Sequence, residues 1–165
     1  MPYALVLHRY CPKFFILGGL LLFSGCGPDF IYDTRQELPE TGWAYSNPVS
    51  FPFEVQDTNT VYNLWLDVGH TTAFKNQNLY TKIHTTFPDG QQISEVVSLE
   101  LADKAGAWFG KCSGQSCVLR VPLQMDTYFN QSGKYEIGIE QYMRQDSLAE
   151  AQSLRLLIED TGKER

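Results

Sequence analysis

The chain has 165 residues, of which 43% are hydrophobic, 13% aromatic and 19% charged, and its net charge is −6. An acidic balance of this kind argues against nucleic acid as a partner and against direct adhesion to anionic lipid. Abundant aromatics, sparse Lys and Glu and no repeat or low-complexity tract fit a β-rich exported domain better than a helical bundle.

The first predicted element is a signal peptide. Arg9 and Lys13 precede an apolar run, Phe14 to Phe23, and the small residues Ser24 and Gly25 lead to Cys26. A helix of ten residues covers only about half of a ~30 Å hydrocarbon core, so the run is too short for a permanent span. A cysteine at this border is wanted for its thiolate, which takes a lipid group as a thioether. "FSGC" resembles a bacterial lipobox, with Phe23 where an aliphatic residue is commonest. Residues 1–25 are therefore read as a lipoprotein signal peptide. Cys26 is read as the site of a diacylglyceryl unit and a further acyl chain such as palmitate, enough to hold the protein on a membrane. No Asp follows Cys26 directly, which by resemblance to known sorting signals disfavours inner-membrane retention and makes the outer membrane, facing the periplasm, the expectation.

Residues 26–47 read as a lipid-anchored tether and lead-in, polar and punctuated by Pro28 and Pro39. Residues 48–160 read as the folded domain. Val49, Phe51, Phe53 and Val55 alternate with polar residues, which predicts a half-buried strand, and Pro52 puts it at a sheet edge. Tyr62, Leu64, Leu66 and Val68 share one strand face, and Asn63, Trp65 and Asp67 the other. Leu79, Thr81, Ile83, Thr85 and Phe87 share a face of a strand that enters a hairpin at Asp89–Gly90. The return strand, about Ile93 to Leu101, turns Val97, Leu99 and Leu101 inward. Leu119, Val121 and Leu123 face in, with Arg120 outward. Tyr135, Ile137, Ile139 and Met143 form the cleanest alternation. "DSLAEAQ" is expected to form at most a helical turn, and Leu154, Leu156 and Ile158 mark the last strand. Seven or eight short strands predict an all-β, two-sheet antiparallel sandwich, jelly-roll or immunoglobulin-like in wiring.

Cys11 leaves with the signal, so Cys112 and Cys117 in "KCSGQSC" are the only pair in the mature chain. In an oxidising compartment they predict a small disulfide-closed loop, with free thiols as the alternative. No metal site is expected, because His70 and His84 are distant in sequence; both read as surface histidines. No nucleophile elbow or phosphate loop appears, and "GAWFG" lacks the lysine and helix of the latter. A glycosidase-like carboxylate pair is not singled out by any residue. Trp43 and Trp108 read as packing residues. Trp65, between Asn63 and Asp67, is the candidate surface aromatic for a protein or sugar contact. Arg144 reads either as an ion-pair partner of Asp146 or as a partner contact.

Several pieces taken together resemble one family. They are "YDTRQELP" with Trp43 soon after, "FPFEVQDTNTVYNLWLDV", "NQNLY", "TTFPDG", "SLELADKAGAWFGK", "SGKYEIGIEQYMRQDSL" and "LRLLIE". In this order and spacing they resemble the GldH family of gliding-motility lipoproteins from Bacteroidota, over Tyr32 to about Glu159. Gly69 stands where an Arg is expected, Ser153 near where a Gly is expected, and the cysteine pair is unusual. The resemblance implies a non-enzymatic envelope lipoprotein without cofactor. It also implies a link to gliding and, through it, to type IX secretion, by contacts with other envelope proteins. The alternative is an outer-membrane carbohydrate-binding lipoprotein.

Overall fold

The computed structural model describes residues 27–165, and every regular element among them is a β-strand. In chain order they are β1 (Asp29–Glu37), β2 (Trp43–Ala44), β3 (Val49–Val55), β4 (Thr60–Thr71), β5 (Asn78–Thr86), β6 (Gln92–Glu100), β7 (Lys111–Ser113), β8 (Ser116–Thr127), β9 (Gly133–Gln141), β10 (Ser147–Leu148) and β11 (Ala151–Glu164). One sheet has the order β1-β11-β4-β8-β7 and the other β3-β9-β5-β6, while β2 and β10 form a two-stranded clip. All ladders are antiparallel. Counting only the eight long strands along the chain, the first sheet reads first, eighth, third, sixth. The second reads second, seventh, fourth, fifth. That order is jelly-roll wiring, which the strand pattern left open against an immunoglobulin-like one.

The period of two places the core. Phe51, Phe53 and Val55 of β3, Leu64, Leu66 and Val68 of β4, Ile137 and Ile139 of β9 and Leu154, Leu156 and Ile158 of β11 are buried between the sheets. Aromatic rings fill one end. Phe53 stacks on Tyr135 at 5.6 Å, and Phe129 lies 4.9 Å from Tyr135 and 5.4 Å from Tyr62. Both tyrosine hydroxyls find backbone acceptors, Tyr62 donating to the Asp57 carbonyl at 3.0 Å and Tyr135 to that of Gln131 at 2.8 Å. β11 lies between β1 and β4, so both its edges are paired. Leu157, on the face away from the core, is as fully buried as its neighbours Leu156 and Ile158.

Three sequence expectations need correction. The stretch read as a tether holds β1, which pairs with β11 from Asp29↔Asp160 to Glu37↔Ser153, so only Gly27 and Pro28 stand between Cys26 and the first strand. β1 escaped the pattern search because it is an edge strand: only Tyr32 packs on the core, and its outer face is Asp33, Arg35 and Glu37. "DSLAEAQ" is not helical. Ser147 and Leu148 pair with Ala44 and Trp43, and Ala151 already opens β11. Trp43 is thereby clamped into the core with no exposure, its indole N–H donating to the Asn47 carbonyl at 3.0 Å. His70 is no surface loop residue. It closes β4, fully buried, with its ring 4.7 Å from Trp108 and 5.9 Å from Phe74. Its Nδ1 lies 3.0 Å from the Thr71 carbonyl, whereas Nε2 and the Thr71 hydroxyl have no hydrogen-bond partner among the described residues.

Two of the three departures from the expected pattern, Gly69 and Ser153, meet in space. Gly69 and Ser153 are register partners, and a Cβ on Gly69 would overlap the Ser153 hydroxyl. A side chain on β11 here requires none on β4.

Candidate functional site

The first sheet's outer face carries the most organised polar array. Its register lines up Arg35, Arg155, Asp67 and Arg120 across β1, β11, β4 and β8. Three arginines in one row would repel, and each is resolved locally. Arg35 turns along its own strand to Glu37, Nε to Oε1 2.5 Å. Arg155 grips Asp33 through Nε (2.6 Å) and Nη2 (2.5 Å), and its Nη1 lies 3.8 Å from Asp67. Arg120 grips Asp67 through Nε at 2.6 Å and Nη2 at 2.8 Å. The result is a chain of alternating charge, Asp33–Arg155–Asp67–Arg120, that staples four strands. Asp67 is nearly buried, at 7% exposure. The hydrogen bonds from Arg155 hold the Asp33 carboxyl below its usual range, and the Asp67 carboxylate raises Arg120 above its own.

Trp65 stands in the next row, between Leu157 and Pro122. It does face outward as the alternation requires, but it is half-buried. Its indole N–H donates to Glu159 Oε2 at 2.9 Å, and the Asn63 amide reaches the same oxygen at 3.3 Å. The ring is thus fixed beside the charge chain, with part of its surface accessible.

Arg144 lies at the opposite end of the molecule from the start of β1, in the segment after β9. It is exposed, and among the described residues it forms no ion pair with Asp146. Around the same segment stand exposed tyrosines. Tyr45 and Tyr142 have ring centroids 6.5 Å apart, and Tyr142 donates its amide to the Tyr80 carbonyl at 2.7 Å. The turn is held by Gln141, whose buried side chain accepts from the Met143 amide and donates to the Gln145 carbonyl, both at 2.8 Å. Trp65 and Arg144 therefore belong to two different surfaces and are not brought together.

Cys112 and Cys117 are register partners across β7 and β8 and are joined by a disulfide. Gly114, with φ 61°, opens the two-residue loop of this hairpin, the position where a glycine-first turn suits strand twist. Cys26 lies outside the described residues. Among them no three His, Cys, Asp or Glu side chains gather as metal ligands, and no helix is long and apolar enough to cross a membrane.

Sequence reasoning missed a polar contact on the second sheet's outer face. His84 lies 2.7 Å from the Ser94 hydroxyl through Nδ1 and 3.4 Å from Glu140 through Nε2, over a hollow of about 220 Å³ that Gly138 leaves open. The alternation had put His84 on this face, but only the register gives its partners.

Comparison with known proteins places this architecture. Residues 30–156 match the GldH lipoprotein family. The gliding motility lipoprotein GldH homolog of Christiangramia forsetii is 26% identical over 133 residues, covering 81% of each chain. The gliding motility lipoprotein GldH of Flavobacterium johnsoniae is 23% identical over 130 residues, covering 79% of each. Dimeric latent PorU from Porphyromonas gingivalis overlaps 82% of this chain but only 14% of its own length, at 9% identity; a TM-score of 0.29 supports no likeness of fold. With the match spanning the sheets from β1 into β11, the chain belongs to the GldH lipoprotein family.

Proposed function

We propose that this chain is a lipid-anchored protein of the outer membrane, facing the periplasm, that supports gliding motility and type IX protein secretion by contacts with other envelope proteins and catalyses no reaction. Family membership is the observation that carries the reading: the matched region opens at residue 30, four positions after the lipobox cysteine. Cys26 is the residue that takes the lipid. The accessible part of Trp65 and the exposed Arg144, with Tyr45 and Tyr142 nearby, are the side chains offered to partners.

The test deletes the gene and follows export of a type IX cargo protein together with spreading on agar. Wild-type complementation is expected to restore both, and Cys26→Ala to restore neither while the protein appears in the soluble fraction. Normal export in the deletion strain refutes the secretion role. The glycan reading would rest on the Tyr45–Tyr142 pair as a stacking platform. It would take first place if the deletion impaired only growth on a glycan.

A further inference from the structure

The two sheets do not close on each other along one side. The first has β7 beyond β8, whereas the second stops at β6, one strand short. Between β6 and β8 runs a groove of about 350 Å³, lined by Leu64, Ile83, Ile93, Val97, Leu123 and Ile137, with Glu95 the charged residue at its wall. A second hollow of about 240 Å³ continues it, sharing Leu64, Ile93 and Ile137 and adding Phe129. Ile93 is 55% exposed and Val96, on the other face of β6, is 50% exposed.

Among the described residues nothing pairs with the outer edge of β6, and the register says which groups are free. Phe87 donates to the Gln91 carbonyl and Leu101 to that of Gln77, so the pairs 87/91 and 77/101 are hydrogen-bonded ones. Alternation along the unbroken β5–β6 register makes Ile93, Glu95, Val97 and Leu99 the residues bonded to β5. The N–H and C=O groups of Gln92, Ser94, Val96 and Ser98 point away from the sheet. The other edges are guarded. β3 carries Pro52, and β8 carries Pro122, broken register and Asp126 at φ 46°. β1 has charged side chains and a register shift. β6 has no proline, no basic residue and no bulge; its charges are Glu95, on the groove side, and Glu100 at its end, so its middle can take a strand whose cation meets Glu95.

We infer that β6 is the docking edge for an extended segment of a partner polypeptide. The segment adds a strand to the second sheet, sends alternate apolar side chains into the groove and sets a Lys or Arg against Glu95. The free backbone donors and acceptors select a polypeptide, because neither an acyl chain nor a sugar satisfies a row of them at strand spacing. Glu95 has no ion-pair partner among the described residues, and that supplies the charge preference. The inference rests on the reading that the protein works through contacts with other proteins.

The test uses the full-length chain in lipid nanodiscs and a short synthetic peptide of alternating Val and Thr, with one inward Val replaced by Lys. Binding is expected to slow hydrogen exchange at residues 92–98. Val96→Pro should weaken binding by at least about tenfold with the melting temperature kept, because that amide faces away from β5. Methylating alternate peptide amides should do the same without touching the protein. Glu95→Lys should weaken the Lys peptide by about tenfold and favour its Glu counterpart. Binding that ignores both Val96→Pro and amide methylation overturns the inference. So does a β6-dependent dimer in sedimentation, or displacement of the peptide by palmitate. In cells, full export with Val96→Pro but none with Cys26→Ala overturns it too, and leaves the proposed function standing.

Discussion

Asp67→Asn tests whether the charge chain holds the first sheet together. The substitution keeps the shape and one acceptor of Asp67 but removes the only negative charge between Arg120 and Arg155. Asp67 is almost buried, and its pair of bonds to Arg120 is bidentate at 2.6 and 2.8 Å. Charge-assisted bonds contribute about 1.5–3 kcal/mol each, and removing one partner of a fully buried pair costs about 3–5 kcal/mol. The Arg120 side chain is 43% exposed, so solvent screening reduces this to about 2–3 kcal/mol. For a domain of this size that is roughly 10 °C in melting temperature. Denaturant unfolding of wild type, Asp67→Asn, Arg120→Met and the double variant measures it, and the double-mutant cycle should return a coupling of about 1–2 kcal/mol. A cost below about 0.5 kcal/mol with no coupling would refute the argument that these side chains staple the strands.

Trp43→Ala should cost about 3–5 kcal/mol in denaturant unfolding, because the ring is fully buried and the β2–β10 clip closes over it. Reducing the Cys112–Cys117 bond should cost about 2 kcal/mol or less, the loop being short, and a melt with and without reductant reads it. Asp33, Asp57 and Asp89 all titrate below the usual aspartate range, held down by hydrogen bonds from Arg155, from the Asn59 amide and from Gln131 respectively. Folding depresses these carboxyls, so their contribution is complete above about pH 4 and is lost as pH falls through the lowered values. Burial raises Tyr62 and Tyr135, so their contribution is complete below pH 10 and is lost as pH rises further. Melts across pH should therefore fall off at both extremes, and a flat acid limb would contradict the carboxylate assignment.

The strands that alternate cleanly were legible because each buries one face. Pro52 marked β3 as an edge, and it is one. Gly90 supplies the left-handed turn at φ 85°, while Asp89 acts by accepting the Gln91 amide. What escaped depends on non-local pairing. β1 has too little apolar content to announce itself and is a strand because β11 offers it a partner. His70 is buried by Trp108 and Phe74, neither of them next to it in sequence. The roles of Asp67 and Arg120 were visible only as outward positions, since their contact joins residues 53 apart along the chain. Wiring, too, is a property of register and not of pattern.

On the proposed lipidation of Cys26, the short connection before β1 would turn an anchor into a mount. Three Cα steps would keep Cys26 within about 11 Å of Asp29 and leave the domain little room to swivel over the bilayer. The strand ends beside Asp29, including Asp160 and Thr127, would then rest near the headgroups. β4, with 12 residues, would carry the opposite end about 40 Å outward. That far end bears Tyr45, Tyr142, Arg144 and the disulfide hairpin. The protein would then present a fixed height as well as a surface, and a partner would meet it at a set distance from the membrane.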